Sequence, residues 1–298
     1  MRRVSPIMGW ITLVVLLLSA SLVSAQAGGV SVSCTNGASF ENGIEVIVNQ
    51  MRAGFTYTAT AVGVNGFDPV LAVVDGATGD FLCSDDESGA SSYAANLPTA
   101  NAARSSTSAQ VNFIHNDSSG FRDISLVVGG FGNQTGEFVL ILEGMAVTGA
   151  DGAGDPFSIN LTPGMVASGV PLSVYMLTRG QSGVDPLVFL ANAADDLTPA
   201  VIDGEQVTCD DAGTLCWNTG SSLDNSSVTI ASGTLPGWQY DAMLSLAIDG
   251  IALDPNPVNN YLTFVMTSFN QSSEGQYLLA FHIGMTDAGG GSNVKNSL

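Results

Sequence analysis

The chain has 298 residues and a formal net charge of −20, with 27 acidic side chains against seven basic ones. Such a surface repels phosphate backbones and carries no basic patch, which argues against a nucleic-acid partner. Hydrophobic residues make up 45% of the chain and charged ones 11%, a core-forming balance that argues against intrinsic disorder.

Met1-Arg2-Arg3 supplies a basic start, Ile11–Leu18 a short apolar run and Ser24-Ala25-Gln26-Ala27 a small-residue end. These are the three parts of a secretory signal peptide, here over residues 1–27. An uncleaved anchor is the rival reading, but the run is short for a span of about 20 residues. The sequence therefore predicts a secreted, extracellular or cell-surface protein with no membrane span once the signal is cleaved.

Beyond the signal, alternation of period two dominates, and no amphipathic helix stands out. Strands are predicted over 44–49, 55–61, 69–75, 109–114, 123–128 and 138–142. A second series follows over 157–161, 170–177, 186–191, 200–208, 226–231, 261–266 and 276–283. Phe138-Val139-Leu140-Ile141-Leu142 is apolar on both faces, as a strand covered on both sides would be. Many short strands separated by Gly, Asn, Asp and Ser turns read as an antiparallel sandwich.

The two series are copies of one design. Gly66-Phe67-Asp68-Pro69 reappears as Gly183-Val184-Asp185-Pro186, and Cys83-Ser84-Asp85-Asp86 as Cys209-Asp210-Asp211. Gly136-Glu137-Phe138 returns as Gly275-Gln276-Tyr277. The expected fold is all-β: two tandem antiparallel β-sandwich, jelly-roll-like domains over 28–146 and 157–286. A Gly- and Ala-rich linker at 147–156 joins them, and a disordered tail follows over 287–298.

Four cysteines in an exported chain read as two disulfides. Three pairings exist on paper. The short loop between Cys209 and Cys216 favours a local bond, which leaves Cys34 to pair with Cys83. Cys83 and Cys209 align as equivalent positions, each with its own partner.

Each copy resembles the bacterial pre-peptidase C-terminal domain, a β-sandwich module of secreted proteins. The residues that carry the resemblance are Asp68-Pro69-Val70-Leu71, Asp85-Asp86 and Gly136-Glu137-Phe138. In the second copy they are Asp185-Pro186-Leu187-Val188, Asp210-Asp211 and Gly275-Gln276-Tyr277. The resemblance implies a non-catalytic accessory module that binds calcium or an extracellular polymer, although no peptidase domain accompanies it here.

Calcium takes six to eight oxygen ligands from carboxylates and carbonyls on tight loops. Asp85, Asp86 and Glu87, with Asp68 from the adjacent strand start, are one candidate set; Asp185, Asp210 and Asp211 are the other. The competing reading is turn chemistry, in which Asp caps the turn and Gly supplies positive φ. On sequence alone both stay open.

For catalysis, His115 and His282 are the only histidines, and neither has an acidic or nucleophilic neighbour in sequence. No catalytic residue is assigned. Trp217, Trp238 and Tyr240 could form a sugar platform, or Trp217 could pack on the adjacent disulfide. The expected function is a non-enzymatic extracellular binding or surface-structural protein, structurally calcium-bound. Its partner would be an extracellular polymer, a cell-surface component or another copy of itself. The alternative is a secreted hydrolase, such as a glycoside hydrolase, with an unrecognised carboxylate pair.

Overall fold

The computed structural model describes residues 29–287 except 53, 77, 80, 87–96, 98–103, 115–120, 148–153, 212–215, 217–226, 231–232 and 272. The expected signal peptide, the tail from 288, most of the linker, Glu87, His115 and Trp217 lie outside the described residues.

The first repeat contributes β1 (Val30–Ser33), β2 (Ser39–Arg52), β3 (Thr56–Val64), β4 (Pro69–Asp75), β5 (Phe81–Ser84), β6 (Arg104–Ile114), β7 (Phe121–Gly130) and β8 (Gly136–Val147). The second begins with β9 (Asp155–Asn160), helix α1 (Pro163–Ser168), β10 (Leu172–Leu177) and β11 (Pro186–Ala193). Four short strands follow: β12 (Asp196–Pro199), β13 (Val201–Ile202), β14 (Glu205–Gln206) and β15 (Thr208–Cys209). It closes with β16 (Val228–Ile230), β17 (Gly233–Leu235), β18 (Ala242–Leu246), β19 (Tyr261–Ser268) and β20 (Gly275–Met285). The all-β expectation holds.

Among the described residues, a ten-stranded sheet runs β12-β11-β19-β9-β2-β7-β4-β5, with β1 added to β2 and β15 to β11. A six-stranded sheet runs β18-β10-β20-β8-β3-β6. Both sheets cross the boundary between the repeats. β2 pairs antiparallel with β9, and β8 with β20.

The register reveals a pseudo-two-fold axis at that boundary. Ile47 faces Ser125 and Ser158 faces Thr263 on matching strands, and Ile47 and Ser158 pair with each other. In the second sheet Ile141 faces Thr60, Ala280 faces Tyr175, and Ile141 and Ala280 pair. Each repeat thus meets its equivalent residue across the seam, the geometry of an isologous dimer within one chain. The Tyr261 hydroxyl donates to Glu45 Oε2 at 2.6 Å across this seam.

The main core lies between the sheets, but the outward face of the six-stranded sheet is covered as well. Thr60, Val62, Ile141, Ser173, Tyr175 and Ala280 all point that way, and all are fully buried. In the second repeat the β16–β17 hairpin contributes the cover, since Ile230 and Leu235 border the same small cavity as Leu177 and Leu278. This explains why Phe138–Leu142 is apolar on both faces.

On the outward face of the large sheet, the first repeat is sealed by β1 and the start of β2. Val32, Cys34, Ala38 and Phe40 pack on Val70, Ala72 and Val127, and the Cys34–Cys83 disulfide pins them there. Phe40 lies so close over Gly129 that a Cβ there would collide with its ring.

Both expected disulfides are present, Cys34–Cys83 and Cys209–Cys216, with Cα separations of 5.8 and 4.0 Å. The expected equivalence of Cys83 and Cys209 is corrected. Ser84 faces Leu71 and Cys209 faces Val188, so Cys209 matches Ser84. Hydrogen bonds agree: Gln110 N donates to Ser84 Oγ and Met243 N to Cys209 Sγ, each at 2.9 Å. A shift of one residue moves a strand side chain to the other face. Cys83 therefore joins the outer cluster while Cys209 is buried in the main core.

Helix α1 was not expected. It is short, but its punctuation is complete: Thr162 caps the Met165 N–H at 3.2 Å, Pro163 opens it and Gly169 closes it in the left-handed region. The expected strand over 200–208 is broken into β13, β14 and β15 by the turn at Asp203-Gly204, where both φ values are positive.

Candidate metal centres

β4 begins and β5 ends at the same end of the sheet, because the two pair antiparallel with Leu71 opposite Ser84. Asp68 precedes β4, and Asp85 and Asp86 follow β5, so the three converge. The same logic operates in the second repeat. Val188 of β11 faces Cys209 of β15, which brings Asp185 to Asp210 and Asp211. In each triad one carboxylate oxygen per residue lies within 4.8 Å of the others. Two ligands on one calcium, each at about 2.3–2.6 Å, are separated by at most about 5 Å, so each triad is compact enough for one ion of its own.

The backbone beneath is held identically in the two repeats. Phe131 N donates to Asp68 O, and Phe269 N to Asp185 O, both at 2.8 Å. Asp185 N also donates to Ser273 Oγ at 3.2 Å.

Solvation makes these carboxylates unusual. One Oδ1 in each of Asp68, Asp85, Asp185 and Asp210 is buried without a protein hydrogen-bond partner. Asp210 as a residue is only 9% exposed. Burial, then the charges of Asp211 and Asp185, push its carboxyl up to about 6. Asp85 is pushed up by burial, then by Asp86 and Asp68; Asp185 by burial and Asp211; Asp211 by burial. Orphaned buried oxygens and mutual repulsion are both relieved by a cation. Five strand spacings separate β4 from β11, about 24 Å, so the triads are two separate candidate sites.

Two polar pairs, one fully buried and one joining buried His282 to a half-buried carboxylate, were not foreseen from the sequence. His282 Nε2 lies 3.2 Å from Glu137 Oε2 across the β8–β20 pair; burial lowers its pKa against the opposing pull of Glu137. An acidic neighbour exists after all, far away in sequence. Ser173 sits opposite His282 and bonds Ser245 at 3.1 Å, and Ser173 and His282 are both sealed from solvent. Separately, Arg179 Nε pairs with Asp241 Oδ2 at 3.1 Å, both side chains fully buried. Asp241 Oδ1 also accepts from the N–H groups of Thr178 and Arg179 at 2.8 and 3.0 Å. Burial pushes Asp241 up to about 6 against the pull of these donors. The only signal for this pair in sequence is a rare cation in front of Gly180.

Trp238 and Tyr240 meet edge to face, with centroids 5.2 Å apart and planes at 74°, rather than forming a flat platform.

No protein-family model, curated protein or solved structure matches the chain. The resemblance to the pre-peptidase C-terminal domain thus rests on its motifs alone. Two disulfides are present, and among the described residues no helix is long and apolar enough to cross a membrane.

Proposed function

We propose that this is an exported, non-enzymatic β-sandwich protein that holds one structural calcium ion in each repeat and serves as an extracellular binding or surface module. The observation that carries the reading is the pair of dyad-related aspartate triads with buried, unpartnered carboxylate oxygens. The repeats differ immediately beside them, with Ser84 matched by Cys209 and Val70 by Leu187, yet the three aspartates recur. An all-carboxylate set without His or Cys suits a hard cation. A loop site of this kind favours calcium over magnesium, which demands a stricter octahedron and keeps more water. The two disulfides favour an oxidising compartment, where millimolar calcium suffices for weak extracellular sites. A non-catalytic role is supported by the burial of His282 and Ser173 and by the position of both triads at strand ends.

An ion bound only by the folded state stabilises it by about 2.7 kcal/mol at a hundredfold excess over Kd. Thermal melts at pH 7 should rise with millimolar CaCl2 and fall in EDTA. Asp85→Ala and Asp210→Ala should each remove part of the rise, and together all of it. Identical melts in calcium and EDTA would sink the reading.

A further inference from the structure

On the outward face of the large sheet the repeats diverge. In the first repeat, β1 and Phe40 seal this face. In the second, the equivalent positions form a groove of about 510 Å3, within the size range of small-molecule sites. Leu187 and Phe189 make its floor, where the first repeat has Val70 and Ala72. One wall comes from an insertion: 25 positions separate Asp185 from Asp210, against 17 between Asp68 and Asp85. The insertion presents Thr198, Pro199 and Gln206 to the groove. It is pinned to the sheet by Ala200 N to Leu190 O at 2.8 Å, Val207 N to Ala200 O at 2.9 Å and Leu190 N to Val207 O at 3.0 Å. The other wall is the turn carrying Ser268, Asn270 and Gln271, with Asn270 and Gln271 at positive φ. The first repeat forms the same sandwich without this insertion, so the fold does not need the groove.

We propose that this groove binds a neutral, hydroxyl-rich ligand, a segment of oligosaccharide. This goes beyond the calcium reading and does not rest on it. Among the described residues no charged side chain lines the groove, although the chain carries 27 acidic residues. A peptide docking by strand addition needs a free backbone edge. Here β11 is paired on one side with β19 and on the other with β12 and β15. Hydroxyl and amide walls over an apolar floor match a sugar, whose hydroxyls take the hydrogen bonds and whose C–H face packs below.

Saturation-transfer NMR and calorimetry should be run on the full mature chain in calcium and in EDTA. The probes are maltohexaose, cellohexaose, laminarihexaose, mannohexaose and N-acetylchitohexaose, with a galacturonate hexamer and a Ser/Thr octapeptide as contrasts. At least one neutral hexasaccharide should bind. Gln206→Ala should weaken it at least fivefold, and Leu187→Trp, which fills the floor, should abolish binding while circular dichroism stays native. The proposal is overturned if no neutral hexasaccharide binds, if binding ignores both variants, or if the octapeptide or galacturonate binds the groove more tightly. Binding that persists when calcium leaves the melt unchanged would sink the calcium reading alone.

Discussion

In the first repeat the outward face of the large sheet lies under β1 and Phe40, tied down by Cys34–Cys83. In the second repeat the same face carries the insertion from β12 to β15, and the disulfide has moved to the core side as Cys209–Cys216. At the end of the six-stranded sheet, Ser108 of the first repeat stands where Asp241 pairs with the buried Arg179 in the second. Against these differences, the aspartate triads and the backbone bonds beneath them are the same. Core closure tolerates different solutions because burial is non-directional. A cluster of like charges at matched positions does not arise from that freedom and needs a cause of its own.

The sharpest way to break the comparison is at the buried ion pair, which the first repeat does without. Arg179→Met leaves Asp241 buried without its counter-ion and should cost about 3–5 kcal/mol in urea melts. Arg179→Met/Asp241→Asn should recover at least half of that, because a neutral pair suffices. A single variant as stable as wild type would mean that the pair contributes nothing.

Next in size are the clasps. By loop-closure entropy, Cys34→Ala/Cys83→Ala should lose about 4 kcal/mol and Cys209→Ala/Cys216→Ala about 2.5 kcal/mol. Hydrogen exchange should place the opening of the first at residues 30–40. Equal losses with no change in protection there would contradict the assigned role of the N-terminal hairpin.

The aspartates separate the repeats by pH. The folded value of Asp210, about 6, lies above the ordinary 3.8. Its contribution to stability is therefore full below about pH 4 and lost as pH rises through 6. Asp85, Asp185 and Asp211 act in the same direction. In EDTA the protein should weaken from pH 4 to pH 7, and calcium should reverse the loss. Asp241 adds to the slope but does not respond to calcium. Asp210→Asn should flatten the EDTA profile; an unchanged profile would show that the carboxylate ionises without penalty.

Much of this was legible in sequence wherever signals are local. Asp68-Pro69 and Asp185-Pro186 mark matched strand starts, and the acidic pairs mark matched strand ends, so each triad could be drawn before its geometry was known. The slip came at the cysteines. Aligning Cys83 with Cys209 is one residue off, and in a strand one residue is the difference between the two faces. The joining of the repeats was not legible, because β2–β9 and β8–β20 are non-local pairings between strands that are apolar in their own right. β18 hid for a related reason: Ala242-Met243-Leu244 is buried on both faces and shows no alternation. Glu137 and His282 are 145 positions apart and meet only through the seam.

The most direct measurement is the stoichiometry of calcium binding by isothermal titration of the chelator-treated mature protein at pH 7. Two ions per chain are expected for wild type, one each for Asp85→Ala and Asp210→Ala, and none for the double variant. Zero or one ion in the wild type, or two ions retained in the double variant, would contradict paired metal centres at these aspartates.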